Sequence, residues 1–323
     1  MVKATVENLS DLIDDIVHGA CDMHIHFGPD VPPSPDSLSV ARRLDALGTA
    51  LDADQAGMGA IALKAHYWPT GALCQIVQKQ VTRTKICGMA VINYHCGGFN
   101  PFYAEVAARI GCHIIMAPTI HTKESVENWK AGRRGRPFGI TDDQPGLSLV
   151  DENGRMVKGM QEILDIAQAH NQLVASGHVN APEDMVLVKE AGRRGLRTIL
   201  THLKPDAALI EHRKEMVRHG AIVEWCWNEL WPLPNVYEII DEAHIYGVEN
   251  CCLTTDAGQA IKPPPSESMH EFVGRLIVGG RDRIGMDPDE VKVMAHRPNA
   301  LVAGFKMIVE EPARSAAVAA AGS

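Results

Sequence analysis

Four histidines and one aspartate stand at the ends of apolar runs. Two of them share the segment Asp22-Met23-His24-Ile25-His26. Imidazole is the commonest protein ligand for metals and titrates near neutral pH. Side chains alternate along a strand, so His24 and His26 should share one face while Met23 and Ile25 turn to the helices. Two imidazoles on one face make a two-ligand arm. Three later runs close in the same manner: Leu173-Val-Ala-Ser-Gly-His178, Thr198-Ile-Leu-Thr-His202 and Cys252-Leu-Thr-Thr-Asp256. A buried cluster of such groups is costly unless something satisfies it, and a divalent cation would. Imidazole and carboxylate donors suit Zn²⁺ first, with Mn²⁺, Fe²⁺ and Ni²⁺ as alternatives, as one ion or two.

These residues converge only if the chain supplies the right frame. Eight short apolar runs read as strands: Cys21–His26, Ala60–Lys64, Ile86–Ile92, His113–Pro118, Leu173–Gly177, Thr198–Thr201, Ala221–Cys226 and Asn250–Thr255. Amphipathic stretches separate them, at Ser37–Ala56, Leu73–Thr82, Pro101–Gly111, Gly159–His170, Pro182–Gly192, Asp206–His219 and Val236–Tyr246. Two more, Ser268–Val278 and Pro288–Ala295, follow the last strand. Alternating strands and helices imply parallel pairing through right-handed crossovers, and eight units predict a closed α/β barrel, the (β/α)8 TIM barrel. In that architecture the chemistry sits at the C-terminal ends of the strands, where these polar residues fall. One connection is too long for an ordinary loop: 119–157, read as a lid-like insertion after strand 4 that ends in a small hairpin. The barrel should occupy 1–311, with 312–323, rich in Ala, Gly and Ser, as a disordered tail.

Composition narrows the function. The 323 residues carry 31 Lys+Arg against 40 Asp+Glu, a net charge of −9, which argues against a nucleic-acid partner. No apolar run is long enough for a membrane helix, and the acidic N-terminus does not resemble a secretory signal. The eight cysteines show no CxxC spacing and mostly lie in apolar runs, as reduced buried thiols of a cytoplasmic protein would. The expected partner is a small-molecule substrate, with a homo-oligomer left open.

The set His24-Ile-His26, His178, His202 and Asp256 resembles the ligand set of the amidohydrolase superfamily of metal-dependent barrels. The segment His296-Arg-Pro-Asn299-Ala300 through Gly304-Phe305 is similar to the element that closes those barrels. The resemblance implies metal-assisted hydrolysis of an amide, lactone or other ester bond in a small substrate, with aromatic or carboxylated ones among the candidates. It implies that Asp256 both ligates the metal and moves the proton, and that His202 polarises the substrate oxygen. There is a departure: binuclear members place a Lys or Glu at the end of strand 4, and Cys112-His-Ile-Ile-Met-Ala-Pro118 has neither. Lys64, at the end of strand 2, could replace it as a carboxylated bridge, or bind substrate as an ammonium. His66, Tyr67, His95 and His121 follow strands 2, 3 and 4 and are candidate substrate-binding residues. All five tryptophans fall near strand ends, where they either wall an apolar pocket or pack between rim and loops; Arg133, Arg134 and Arg136 cluster in the insertion and read as a solvated loop face, with attraction of an anionic substrate as the alternative. The competing readings are a metal-dependent decarboxylase or other lyase, and a metal-binding barrel without catalysis.

Overall fold

In a computed structural model, residues 6–31, 41–229, 236–280 and 283–305 are described. The chain forms the expected barrel. A helix, α1 (Val6–Val17), precedes β1 (Cys21–His26). Then follow α2 (Ala46–Gln55), β2 (Ala60–Lys64), α3 (Gly71–Val77), β3 (Lys85–Val91), α4 (Pro101–Arg109), β4 (Cys112–Met116) and α5 (Lys123–Lys130). The second half holds α6 (Lys158–Ala169), β5 (Leu173–Ala175), α7 (Ala181–Arg193), β6 (Thr198–Leu203), α8 (Ile210–Arg218), β7 (Ala221–Cys226), α9 (Val236–Tyr246) and β8 (Cys251–Thr254). Helices α10 (Pro265–Val278) and α11 (Pro288–Val302) complete it. Every strand pairs in parallel with the next, in the order β1 to β8. The sheet nearly closes where His26 N donates to Ala257 O at 2.8 Å.

The barrel interior is filled by small and flexible side chains, among them Cys21, Met23, Ala60, Ala62, Met89 and Met116. Small residues on some strands leave room for methionine on others, as an eight-stranded barrel requires. Outward residues such as Ile61, Leu63, Val223 and Leu253 pack beneath the helices. At the N-terminal end, Asn299 on α11 donates to Gly19 O at 2.8 Å and accepts from Cys21 Sγ at 2.9 Å. The closing segment therefore plugs that end of the barrel and leaves the C-terminal end for chemistry.

Strict alternation fails on β1. Met23 lies inside the barrel and Ile25 beneath the helices, so Met23 does not turn outward as expected. Between Asp22 and Ile25 the pairing with β2 slips by one residue. A bulge of this kind inserts one extra residue and exchanges the two faces beyond it. It carries His24 and His26 inward after Cys21 and Met23. β6 does the same between Leu200 and Leu203. Ile199 is interior and Leu200 exterior, so without the slip His202 would point away from the site.

Three local expectations change. The helix expected over 37–56 begins only at Ala46, because Asp45 caps it by accepting from Gly48 N at 2.6 Å; 32–40 lie outside the described residues. The insertion holds a helix, α5, capped by Thr122. It also has an antiparallel bridge between Val150 and Met156 around the turn at Asp151–Arg155. Residues 312–323, expected to be a tail, lie outside the described residues, as does Trp231.

Candidate metal centre

At the C-terminal end of the barrel, β1 and the β8 loop bring three donors together. The ligand atoms of His24, His26 and Asp256 all lie within 4.8 Å of one another, and all three residues are buried. Asp256 Oδ1 stands 3.3 Å from His24 Nε2 and 3.2 Å from His26 Nε2. It accepts no hydrogen bond of acceptable geometry, although it is buried. Its partner Oδ2 accepts from Asn228 Nδ2 at 2.8 Å. An orphaned, buried carboxylate oxygen facing two imidazole nitrogens is the arrangement a cation satisfies. The donor set therefore fits a divalent metal.

The other proposed ligands surround this triad. Lys64 Nζ lies 2.8 Å from His24 Nε2, and its side chain is buried. His178 and His202 pair through their Nε2 atoms at 2.9 Å. The His202 ring stacks on His24 at 5.4 Å between centroids. Among the described residues only three non-glycine positions have positive φ, and two of them are His202 (32°) and Asp256 (47°). Backbone held in this sparsely populated region is strained and tends to mark functional sites.

Electrostatics favour neutral imidazoles beside an ionised carboxylate. Burial pushes the His26 imidazolium down to about 3, and lowers His178, His66 and His202 in the same direction. Neutral imidazoles keep the lone pair a metal needs. Burial opposes ionisation of Asp256 too, but the facing His24, His26 and Lys64 outweigh it and hold the carboxyl well below its usual range. Burial also lowers the Lys64 ammonium, against the pull of Asp256 and Glu224.

The four candidate substrate residues divide. His66 is buried beside the centre, 4.9 Å from His26 between ring centroids, with Nδ1 2.9 Å from Thr119 Oγ1. Tyr67 packs edge-on against His95 at 4.6 Å and Phe138 at 5.8 Å, so a band of rings runs from His26 outward. His121 is different. Its Nδ1 accepts from Tyr94 N at 3.2 Å, and its Nε2 donates to Phe138 O at 2.9 Å. Both nitrogens are committed to backbone, which leaves neither to a ligand.

Two of the tryptophans pack in the core, and the arginines bond within the insertion. Trp225 and Trp227 are fully buried in the layer between barrel and helices, because β7 turns them outward. Arg136 lies over the Trp129 ring at 4.9 Å and donates to Ile140 O; Arg134 donates to Ser125 and Arg133 to Asn128. The cluster bonds within the insertion, with Arg133 and Arg134 exposed.

Two acidic residues escaped the sequence reading. Glu224, midway along β7, is buried and accepts from His24 Nδ1 at 2.9 Å. Asp22 accepts from His24 N at 3.1 Å and from Thr255 N at 3.2 Å, tying β1 to β8 just behind the triad. Burial pushes the Asp22 carboxyl up to about 7, against hydrogen bonds from Thr255. The signal for both was a charged residue inside an apolar strand, where only a specific partner makes burial tolerable.

Several solved structures share this shape. An amidohydrolase from Pseudomonas aeruginosa superposes with a TM-score of 0.61 at 12% identity, over 92% of this chain and 98% of that one. The probable dipeptidase PvdM from the same organism gives 0.58 at 10%, over 94% and 99%. A dihydroxybenzoic acid decarboxylase from a Polaromonas species, with bound manganese and the inhibitor 2-nitroresorcinol, gives 0.50 at 12%, over 90% and 99%. At such identities the likeness establishes the (β/α)8 barrel and not a reaction. No curated protein matches the sequence. Residues 19–224 match the model of a family described as of unknown function, DUF6282. That match spans β1 through most of β7, well over half of the chain, and the protein therefore belongs to the DUF6282 family.

Proposed function

We propose that the protein is a metal-dependent hydrolase acting on an amide, lactone or other ester bond of a small molecule. The observation that carries this reading is Asp256 Oδ1, buried without a hydrogen bond between His24 Nε2 and His26 Nε2. A divalent cation held by His24, His26 and Asp256, Zn²⁺ first and Mn²⁺, Fe²⁺ or Ni²⁺ otherwise, would supply Lewis acidity and a hydroxide-like nucleophile near neutral pH. That a structurally similar decarboxylase has bound manganese supports a divalent cation here.

The chain's own residues then divide the work. Asn228 holds Asp256 Oδ2, so Oδ1 is the oxygen left to take a proton from water and return it to the leaving group. His178 and His202 place an Nε2 pair beside His24, where one N–H can polarise the substrate oxygen. Lys64 Nζ, buried against His24, is a second donor to that oxygen as an ammonium; carboxylated, it would instead bridge two ions.

A second reading is favoured by one feature. β4 ends at Met116 and runs into Ala117-Pro118-Thr119, without the carboxylate or lysine of a binuclear hydrolase. A metal-dependent decarboxylase needs no such bridge, and the ring band from His66 to Phe138 suits an aromatic acid. Turnover in H₂¹⁸O by the Zn²⁺- or Mn²⁺-loaded protein separates the two, over a panel of lactones, esters, amides and aromatic acids. Hydrolysis places ¹⁸O in the organic product. Release of CO₂ with an unlabelled organic product establishes the lyase instead, and no turnover by either loaded form contradicts both.

A further inference from the structure

Glu224 is a strongly built feature of this site that the mechanism above leaves unused. We propose that it is a positioning residue: it fixes the tautomer and orientation of His24 and thereby sets the affinity of the centre for its metal. This rests on the metal-dependent reading.

The geometry is specific. Glu224 lies in the middle of β7, paired in register with Cys252 of β8. Its side chain is 2% exposed. One oxygen, Oε1, receives both of its hydrogen bonds: from His24 Nδ1 at 2.9 Å and from Thr254 Oγ1 at 2.6 Å. Among the described residues no Lys or Arg forms an ion pair with it; the only ion-pair partner is His24. A buried carboxylate is expensive to keep unless its partners reward the charge itself. Glu224 reaches from β7 past β8 to a residue 200 positions away in the sequence, and spends that contact on one imidazole.

The chemical consequence follows from donor rules. A carboxylate only accepts, so His24 Nδ1 must carry a proton. The Nε2 lone pair is then available, and Nε2 is the atom 3.3 Å from Asp256 Oδ1. A carboxylate on the far nitrogen also makes the near one a better donor to a metal. Thr254 holds Oε1 from the side, so the ring cannot swing with the carboxylate. A residue serving only to fill the barrel would gain nothing from its charge, and this provides the test.

Glu224→Gln keeps the size, and its amide oxygen can still accept from His24 Nδ1 and Thr254 Oγ1; only the charge is removed. Affinity for Mn²⁺ and Zn²⁺ is measured on the full chain by competition with a chromophoric chelator. Thermal unfolding is followed alongside, with His24→Asn as the benchmark for losing a ligand. The tautomer of His24 is read in metal-free protein from ¹⁵N-histidine spectra. The expected result is a folded E224Q whose metal affinity falls by about 10–100-fold, with His24 as the Nδ1–H tautomer in the wild type. Wild-type affinity in a folded E224Q overturns the role of Glu224 and leaves the metal reading standing. A wild-type chain that binds neither ion overturns the metal reading and this role with it. If E224Q does not fold, the wild-type tautomer decides, and Nε2–H on His24 overturns the proposal.

Discussion

Asp256 carries two requirements at once: one oxygen faces the imidazoles of His24 and His26, and the other is held by Asn228. Asp256→Asn removes the charge and leaves the shape. It is expected to fold with a lowered Tm in metal-free protein, because His24, His26 and Lys64 lose the charge that faces them. Turnover should fall by about 10²–10⁴-fold, the usual range for a lost proton-transfer group. A variant that retained near-normal kcat would exclude Asp256 from the proton path. That His24, His26, His178, His202 and Asp256 meet at one end of the barrel was legible in the sequence, because each ends an apolar run. Glu224 was not legible in that way. It stands within an apolar run, between Val223 and Trp225, and its partner is on the first strand. His121 looked equivalent to His95 in sequence, yet Tyr94 N after β3 takes one of its nitrogens and Phe138 O of the insertion takes the other.

At the scale of the element, the bulges decide what the histidines can reach. Counting by twos from Cys21 places Met23 and Ile25 on one face, and counting back from His26 gives His24; both patterns exist, joined by a slip of one residue. Periodicity reveals a strand, but a slip is a relation between two strands and is written in neither alone. The strands themselves were legible: β1, β2 and β7 have the bounds that the apolar runs imply. Helix α5 was hidden because its sequence, Lys123-Glu-Ser-Val-Glu-Asn-Trp-Lys130, is almost wholly polar. The seam between β1 and β8 depends on Gly258, at φ +126°, where an added Cβ would come within 2.2 Å of His26 O. Gly258→Ala is therefore expected to lower stability by at least about 1–3 kcal/mol, the usual cost of a strained backbone position. Urea unfolding measures this. An unchanged midpoint and slope would show that the seam tolerates a side chain there and is not held as described.

For the whole molecule, a closed parallel barrel separates stability from chemistry. α1 and α11 seal the N-terminal end through Asn299 and through His296, whose Nε2 bonds Ile16 O at 2.7 Å. The opposite end collects polar side chains from β1, β2, β5, β6, β7 and β8 around one point. Six strands deliver buried or half-buried His, Lys, Asp or Glu to the same small volume, an arrangement that a purely structural barrel has no reason to build. No described helix is long and apolar enough to cross a membrane. Under the proposed function this volume is a metal centre built on His24, His26 and Asp256. Anomalous-difference maps from crystals grown with Mn²⁺ or Zn²⁺, recorded on either side of the metal's absorption edge, would show it. The expected result is a peak about 2.0–2.2 Å from both Nε2 atoms and from an Asp256 oxygen. A map with the metal bound elsewhere and no peak at this triad would contradict it.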